Sequence, residues 1–153
     1  MEQGVLVQFK DLGAAAAIGL SALGSCFGVA AAGLSAVGAW KKCFMQNKPA
    51  PFTLAVFIGA PLSQTIYGVV LMNAIIAVVD KGAYLWLIGT LGGAAIGMSA
   101  FVQGRIGAAA ADATAETGKG FGNYLIALGV AETIALFVMA FLLLVVGKFA
   151  PAV

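Results

Sequence analysis

The stretch GFGNYLIALGVAETIALFVMAFLLLVVG (120–147) contains one charged side chain, Glu132, among 28 residues. A helix that crosses the hydrocarbon core of a membrane needs about 20 predominantly apolar residues, because each residue adds about 1.5 Å. Glu132 lies about 12 residues into this stretch, which is close to its middle. The stretch therefore predicts a transmembrane helix that carries a carboxyl group near the centre of the bilayer.

The rest of the chain is similarly apolar. Of its 153 residues, 62% are hydrophobic and 9% charged, whereas soluble domains carry about 25% charged residues. The stretches 12–40, 49–79 and 82–104 have no charge at all. We therefore predict an all-α membrane protein of four transmembrane helices, arranged as two tandem antiparallel hairpins. The first hairpin spans 1–80, with helices at about 11–41 and 50–79, and the second spans 81–153, with helices at about 83–112 and 120–148.

Short polar segments connect these helices, and their charges predict an orientation. Five basic residues lie in or beside the predicted loops 41–51 and 112–120, and three lie on the opposite side. The positive-inside rule then places both loops in the cytoplasm and both termini outside. A net charge of +2 without a basic run argues against a nucleic-acid partner. The chain has no histidine, so the usual metal and acid–base sites are not expected.

The second and fourth predicted helices resemble each other at an offset of 68 residues. Gln64-Thr65-Ile66 corresponds to Glu132-Thr133-Ile134, which indicates an internal duplication, although two Leu/Val-rich helices can also align by chance. The first helix is rich in glycine and includes the GxxxG pair Gly24 and Gly28. Such small residues predict close helix–helix contact. A whole face of small residues also suits crowding around a narrow oligomer axis.

Glu132 has several polar residues at a compatible depth. An ionised carboxylate in the membrane costs several kcal/mol unless it is paired, protonated or bound to a cation, so it is a functional candidate by default. Pro61 is expected to kink its helix and expose backbone oxygen. Gln64, Gln103, Ser63 and Tyr67 are candidates to line the same site. They could instead have structural roles. The two glutamines could bridge helices, Ser63 could bond to its own helix, and Tyr67 could serve in packing. Arg105 is expected to extend to the cytoplasmic interface.

Three segments together resemble the duplicated four-helix proteolipid, the K or c subunit, of rotary V/A-type ATPases. They are GAPLSQTIYG (59–68), VQGRIGAAAA (102–111) and GVAETIALFVMAFLL (129–143). The resemblance implies a homo-oligomeric membrane ring that rotates against a stator, in a bacterial or archaeal cell membrane. It implies that the a subunit of the stator presents an arginine to Glu132 and that central-stalk subunits contact the loops 41–51 and 112–120.

The same resemblance implies a site for a transported cation and no further cofactor. Glu132 would carry the ion, with Ser63, Gln64, Gln103 and the carbonyl of Ala60 as further ligands and Tyr67 as a hydrogen-bond donor to the carboxylate. Serine replaces the more common threonine at position 63 and keeps the hydroxyl. This set favours Na⁺ over H⁺. The chain has no nucleotide-binding motif, so ATP hydrolysis would belong to other subunits.

Two other classes of protein compete with this interpretation. A small four-helix cation or drug antiporter also uses a lone membrane glutamate, but in its first helix. A structural tetraspan proteolipid of a membrane coat or junction has no need of polar oxygen atoms gathered at one depth. Labelling of Glu132 by a carbodiimide, and protection by Na⁺, distinguishes the three.

Overall fold

A computed structural model describes residues 12–79 and 85–150, and every element in these ranges is helical. Four of its helical segments are long and apolar enough to cross a membrane. This confirms the prediction of an all-α chain with four membrane-spanning helices. The elements are α1 (Leu12–Met45), α2 (Leu54–Gly59), a 3₁₀ turn (Ala60–Leu62), α3 (Ser63–Val79), α4 (Trp86–Thr117) and α5 (Phe121–Gly147), with α2, the turn and α3 forming one span.

The first connection differs from the predicted loop 41–51. Helix α1 continues through both lysines to Met45, and α2 begins only at Leu54 rather than at about residue 50. The helix ends because Asn47 adopts a positive φ of 52° and the amide of Lys48 bonds to the carbonyl of Cys43 at 2.9 Å. Exposed lysines do not interrupt a helix, whereas a left-handed residue does.

The predicted loop 112–120 is also mostly helical. Helix α4 extends to Thr117 and ends at Gly118, whose φ of 64° is left-handed and whose amide bonds to the carbonyl of Thr114. The segment before Gly118 contains alanine and glutamate, which favour helix, so its charges were a poor guide to the helix end. The connection predicted between residues 79 and 83, and all residues before Leu12, lie outside the described residues.

Helices α1 and α4 run parallel and pack backbone against backbone. A Cβ atom added to Gly24 would lie 2.0 Å from the carbonyl oxygen of Gly97, and one added to Gly104 would lie 2.1 Å from that of Gly28. The expected close contact at Gly24 and Gly28 is therefore made within the chain, against α4. Gly19 and Gly38, in contrast, have no atom of residues 12–79 or 85–150 within 4 Å of an added Cβ, so part of the small-residue face remains open among these residues.

Helices α3 and α5 pack on this central pair, antiparallel to it. Two apolar clusters hold them there. One contains Leu71, Ile75 and Ala135, and the other contains Phe57 and Leu128 with residues of α1 and α4. The polar residues between the two clusters lie about midway along the helices. Much of the outward surface of α5, including Val130, Ile134 and Phe137, is apolar and exposed, as expected for a surface in contact with lipid or another subunit.

Candidate ion-binding site

Pro61 introduces a 3₁₀ turn, Ala60–Leu62, between α2 and α3. Proline lacks an amide hydrogen and cannot continue the α-helical bonding pattern. The hydroxyl of Ser63 lies 3.1 Å from the carbonyl oxygen of Ala60 and 3.1 Å from Oε1 of Gln64. The turn therefore brings a backbone oxygen, a hydroxyl and an amide oxygen to one place. The bond from Ser63 to its own helix, which the sequence left open, is present.

The two predicted glutamines are in direct contact. Gln64 and Gln103 are fully buried, and Nε2 of Gln64 donates a 2.8 Å hydrogen bond to Oε1 of Gln103. Nε2 of Gln103 donates at 3.0 Å to the carbonyl oxygen of Leu128 and lies 3.5 Å from Oε2 of Glu132. The pair therefore links the oxygen atoms near Pro61 to the carboxyl group on α5.

Glu132 is half-buried on α5, about 17 Å from the start of the helix and about 22 Å from its end at 1.5 Å per residue. The hydroxyl of Tyr67 donates a 2.7 Å hydrogen bond to its Oε1. One carboxyl oxygen thus contacts a phenol and the other approaches an amide. The structure brings together all six residues that the resemblance implies: Glu132, Tyr67, Gln103, Gln64, Ser63 and Ala60.

No basic side chain neutralises Glu132 within residues 12–79 and 85–150. The ion pair of these ranges joins Lys42 and Glu116, near the ends of α1 and α4. Arg105 is exposed, and its guanidinium lies 5.9 Å from the ring centroid of Phe101. A membrane carboxyl group with only neutral donors around it is stable when it is protonated or when it binds a cation. The arrangement is chemically suited to either.

Sequence reasoning missed two buried serines, one of which lies beside this network. Ser99, 6% exposed, donates a 2.6 Å hydrogen bond to the carbonyl oxygen of Ala131, next to Glu132. Ser99 lies four residues before Gln103, and this spacing places both on one face of α4, so the sequence could have identified it. Ser25, 2% exposed on α1, has no hydrogen-bond partner among the described residues. No pattern in a Gly/Ala-rich helix distinguishes such a serine from one that bonds to its own backbone.

Comparison with known proteins assigns a family likeness to the second half of the chain. Residues 86–145 match the family model for the C subunit of ATP synthase. No curated protein matches the chain. The matched segment contains α4 and most of α5, and so includes Gln103 and Glu132 but not Ser63, Gln64 or Tyr67. The family consists of non-catalytic, ion-translocating subunits that form rings in ATP synthases, and residues 86–145 of this membrane protein are similar to it.

Proposed function

We propose that this chain is the rotor-ring subunit of a V/A-type rotary ATPase, in a duplicated four-helix form, and that Glu132 carries the transported ion. The observation that supports this most is the connected polar network at mid-membrane. Tyr67 contacts one oxygen of Glu132 at 2.7 Å, and Gln103 lies 3.5 Å from the other. The match of residues 86–145 to a family of ion-translocating ring subunits supports the same function.

The proposed ion is Na⁺, bound by Glu132, Gln64, Gln103, Ser63 and the carbonyl of Ala60. Hard cations prefer oxygen ligands, and one carboxylate among neutral oxygens balances one positive charge. The hydroxyl oxygen of Ser63 lies 3.1 Å from the carbonyl oxygen of Ala60 and 3.1 Å from Oε1 of Gln64. Tyr67 would hold the carboxylate in place by its hydrogen bond. Protonation of Glu132, with H⁺ as the transported ion, is the alternative.

The mechanism follows from the charge on Glu132. With the ion bound, the site is neutral, and the apolar surface of α5 can pass through lipid as the ring turns. At the stator, an arginine of the a subunit would compete for the carboxylate and release the ion. Each elementary charge that crosses the membrane corresponds to about 2.3 kcal/mol per 100 mV. Gln64 occupies the position in the first hairpin that corresponds to Glu132, so one ion would be carried per four helices. Fewer ions would then cross per turn of the ring, which favours pumping against steep gradients.

In this assembly the two connections near Lys42 and Glu116, residues 46–53 and 118–120, would face the cytoplasm and contact the central stalk. Both termini would then lie outside. The ring would stand in a bacterial or archaeal cell membrane, and other subunits would hydrolyse or synthesise ATP.

The decisive experiment is carbodiimide labelling of Glu132 in the purified protein, read by mass spectrometry at increasing Na⁺ and raised pH, with K⁺ as the control. A carbodiimide reacts with a protonated carboxyl group, so bound Na⁺ should protect Glu132 where K⁺ does not. Native mass spectrometry of the same sample should show a ring of identical subunits. If raised pH alone protects Glu132, the result supports H⁺ transport. Protection only by drug-like cations would support the antiporter. A protein that is monomeric, or that does not react with the carbodiimide, would refute the rotor.

A further inference from the structure

Ser25 is a buried hydroxyl that lacks a hydrogen-bond partner among the described residues. It is 2% exposed. One turn earlier on α1, Ser21 is also fully buried but donates a 2.7 Å hydrogen bond to the carbonyl oxygen of Ala17. The helix thus offers a buried serine a local acceptor, and Ser25 does not use one. A buried polar group without a partner is costly, and in a native structure it calls for a specific explanation.

The contacts on either side of Ser25 place it opposite Gln64. A Cβ atom added to Gly68 would lie 2.6 Å from Oγ of Ser21, and one added to Gly28 would lie 2.9 Å from Cβ of Pro61. Helices α1 and α3 are antiparallel, so the part of α1 between Ser21 and Gly28 faces the part of the second span between Pro61 and Gly68. Ser25 lies on the same face of α1 as Ser21 and Gly28. Gln64 lies on the same face of its span as Pro61 and Gly68, so Ser25 and Gln64 face each other.

The amide of Gln64 has a complementary need. Its nitrogen carries two hydrogens, and one of them bonds to Oε1 of Gln103 at 2.8 Å. The second has no acceptor in the described part of the chain, although Gln64 is fully buried. A free donor on α3 and a free hydroxyl on α1 therefore lie at the same level of the bundle.

We propose that Ser25 is a positioning residue for Gln64. Its hydroxyl accepts the second N–H of the amide, through one buried water or after a small side-chain rotation. The oxygen and nitrogen ends of an amide are nearly equal in size. An acceptor beside the nitrogen keeps Oε1 directed towards Ser63, where the cation binds, and prevents the amide from presenting a donor to it. This role rests on the proposed Na⁺ site.

The second hairpin provides an analogous arrangement. Ser99 on α4 bonds to the carbonyl oxygen of Ala131 at 2.6 Å, beside Glu132. Gln64 and Glu132 are the corresponding residues of the 68-residue offset. Position 25 corresponds to Gly93 at this offset, so Ser99 is not the counterpart of Ser25. It shows that a buried serine of a neighbouring helix can bond next to the proposed ion-carrying residue.

The test compares Ser25→Ala with Ser21→Ala in the full-length protein purified in detergent. Both changes remove one buried hydroxyl from the same face of α1, one turn apart. The readout is the Na⁺ concentration that gives half-maximal protection of Glu132 from a carbodiimide, together with the labelling rate without Na⁺ at several pH values. Ser25→Cys, which nearly keeps the side-chain volume, is a second variant if the alanine variant is not recovered.

We expect the half-maximal Na⁺ concentration to rise about three- to tenfold in Ser25→Ala, since that is the range of one ordinary hydrogen bond. The cysteine variant should give a smaller rise than the alanine variant, because a thiol still accepts a hydrogen bond weakly whereas a methyl group accepts none. Ser21→Ala should stay near the original protein, and the Na⁺-free pH profile should be the same in all of them. Equal Na⁺ dependence of Ser25→Ala and Ser21→Ala would refute the positioning role. Lack of Na⁺ protection in the unchanged protein would instead refute the Na⁺ site itself.

Discussion

The hydroxyl of Tyr67 on α3 donates a 2.7 Å hydrogen bond to Oε1 of Glu132 on α5, across a separation of 65 residues. The contact joins the two hairpins at the level of the candidate ion site. It also leaves the second carboxyl oxygen, 3.5 Å from the amide nitrogen of Gln103, on the side of the other proposed ligands. One phenol thus orients the carboxyl group towards the place where we propose that the cation binds.

Removal of this hydroxyl should weaken ion binding without loss of the fold. In Tyr67→Phe the carboxylate loses a donor that fixes its orientation, and bonds to charged groups contribute about 1.5–3 kcal/mol. We expect the Na⁺ concentration for half-maximal protection of Glu132 to rise about tenfold. Tyr124→Phe is the matched control, because Tyr124 packs edge-on against Phe57, away from Glu132. An equal effect of the two variants would show that Tyr67 acts only through packing.

Glu132→Gln should abolish ion transport and retain the assembly. Glutamine has nearly the same shape as glutamate but cannot be ionised, so the site has no charge with which to hold a cation. We expect no carbodiimide adduct at position 132, no Na⁺ transport in vesicles that contain the complete complex, and an unchanged ring in native mass spectrometry. Glu116→Gln, at an exposed carboxylate near the end of α4, should leave transport intact. Transport by Glu132→Gln would remove the basis of the proposed function.

Gln103→Leu should reduce both stability and ion affinity. The change leaves Nε2 of Gln64 without its acceptor and removes the second donor to the carbonyl oxygen of Leu128, which keeps its bond within α5. Each buried polar group left unpaired costs about 1–3 kcal/mol. The thermal unfolding midpoint in detergent should fall, and protection of Glu132 by Na⁺ should require at least about tenfold more Na⁺. A variant with unchanged Na⁺ dependence would show that Gln103 only bridges helices.

The contact between α1 and α4 should tolerate no side chain at its centre. In Gly24→Ala the added Cβ would lie 2.0 Å from a backbone oxygen of Gly97, so the helices must separate. Overpacking of this kind costs about 1–3 kcal/mol, and more where backbone must move. The thermal midpoint should fall clearly.

Gly19→Ala on the same helix is the control for helix propensity. No atom of the described residues lies within 4 Å of a Cβ added at Gly19, so this variant should gain up to about 1 kcal/mol from the better helix propensity of alanine. Equal midpoints for Gly19→Ala and Gly24→Ala would contradict the close contact.

The four membrane-spanning helices could be predicted because their causes are local. In lipid, backbone polar groups must be satisfied within a helix, so apolar length alone identifies a span. The ends of the helices were less predictable. Asp112 and Glu116 suggested a loop, but they lie on α4, which continues until Gly118 can adopt a left-handed conformation. Helix ends depend on capping geometry, and charge is only a weak indicator of it.

The sequence by itself determined the four spans, the depth of Glu132 and the residue types available near it, since position along a helix sets depth at about 1.5 Å per residue. Only the tertiary structure decided which side chains meet at that depth. The rotation of each helix about its axis follows from packing, and the backbone contact between Gly24 and Gly97 sets it for α1 and α4. That packing brings Gln64 to Gln103 and Tyr67 to Glu132, because partners on different helices are selected by complementary surfaces rather than by sequence spacing.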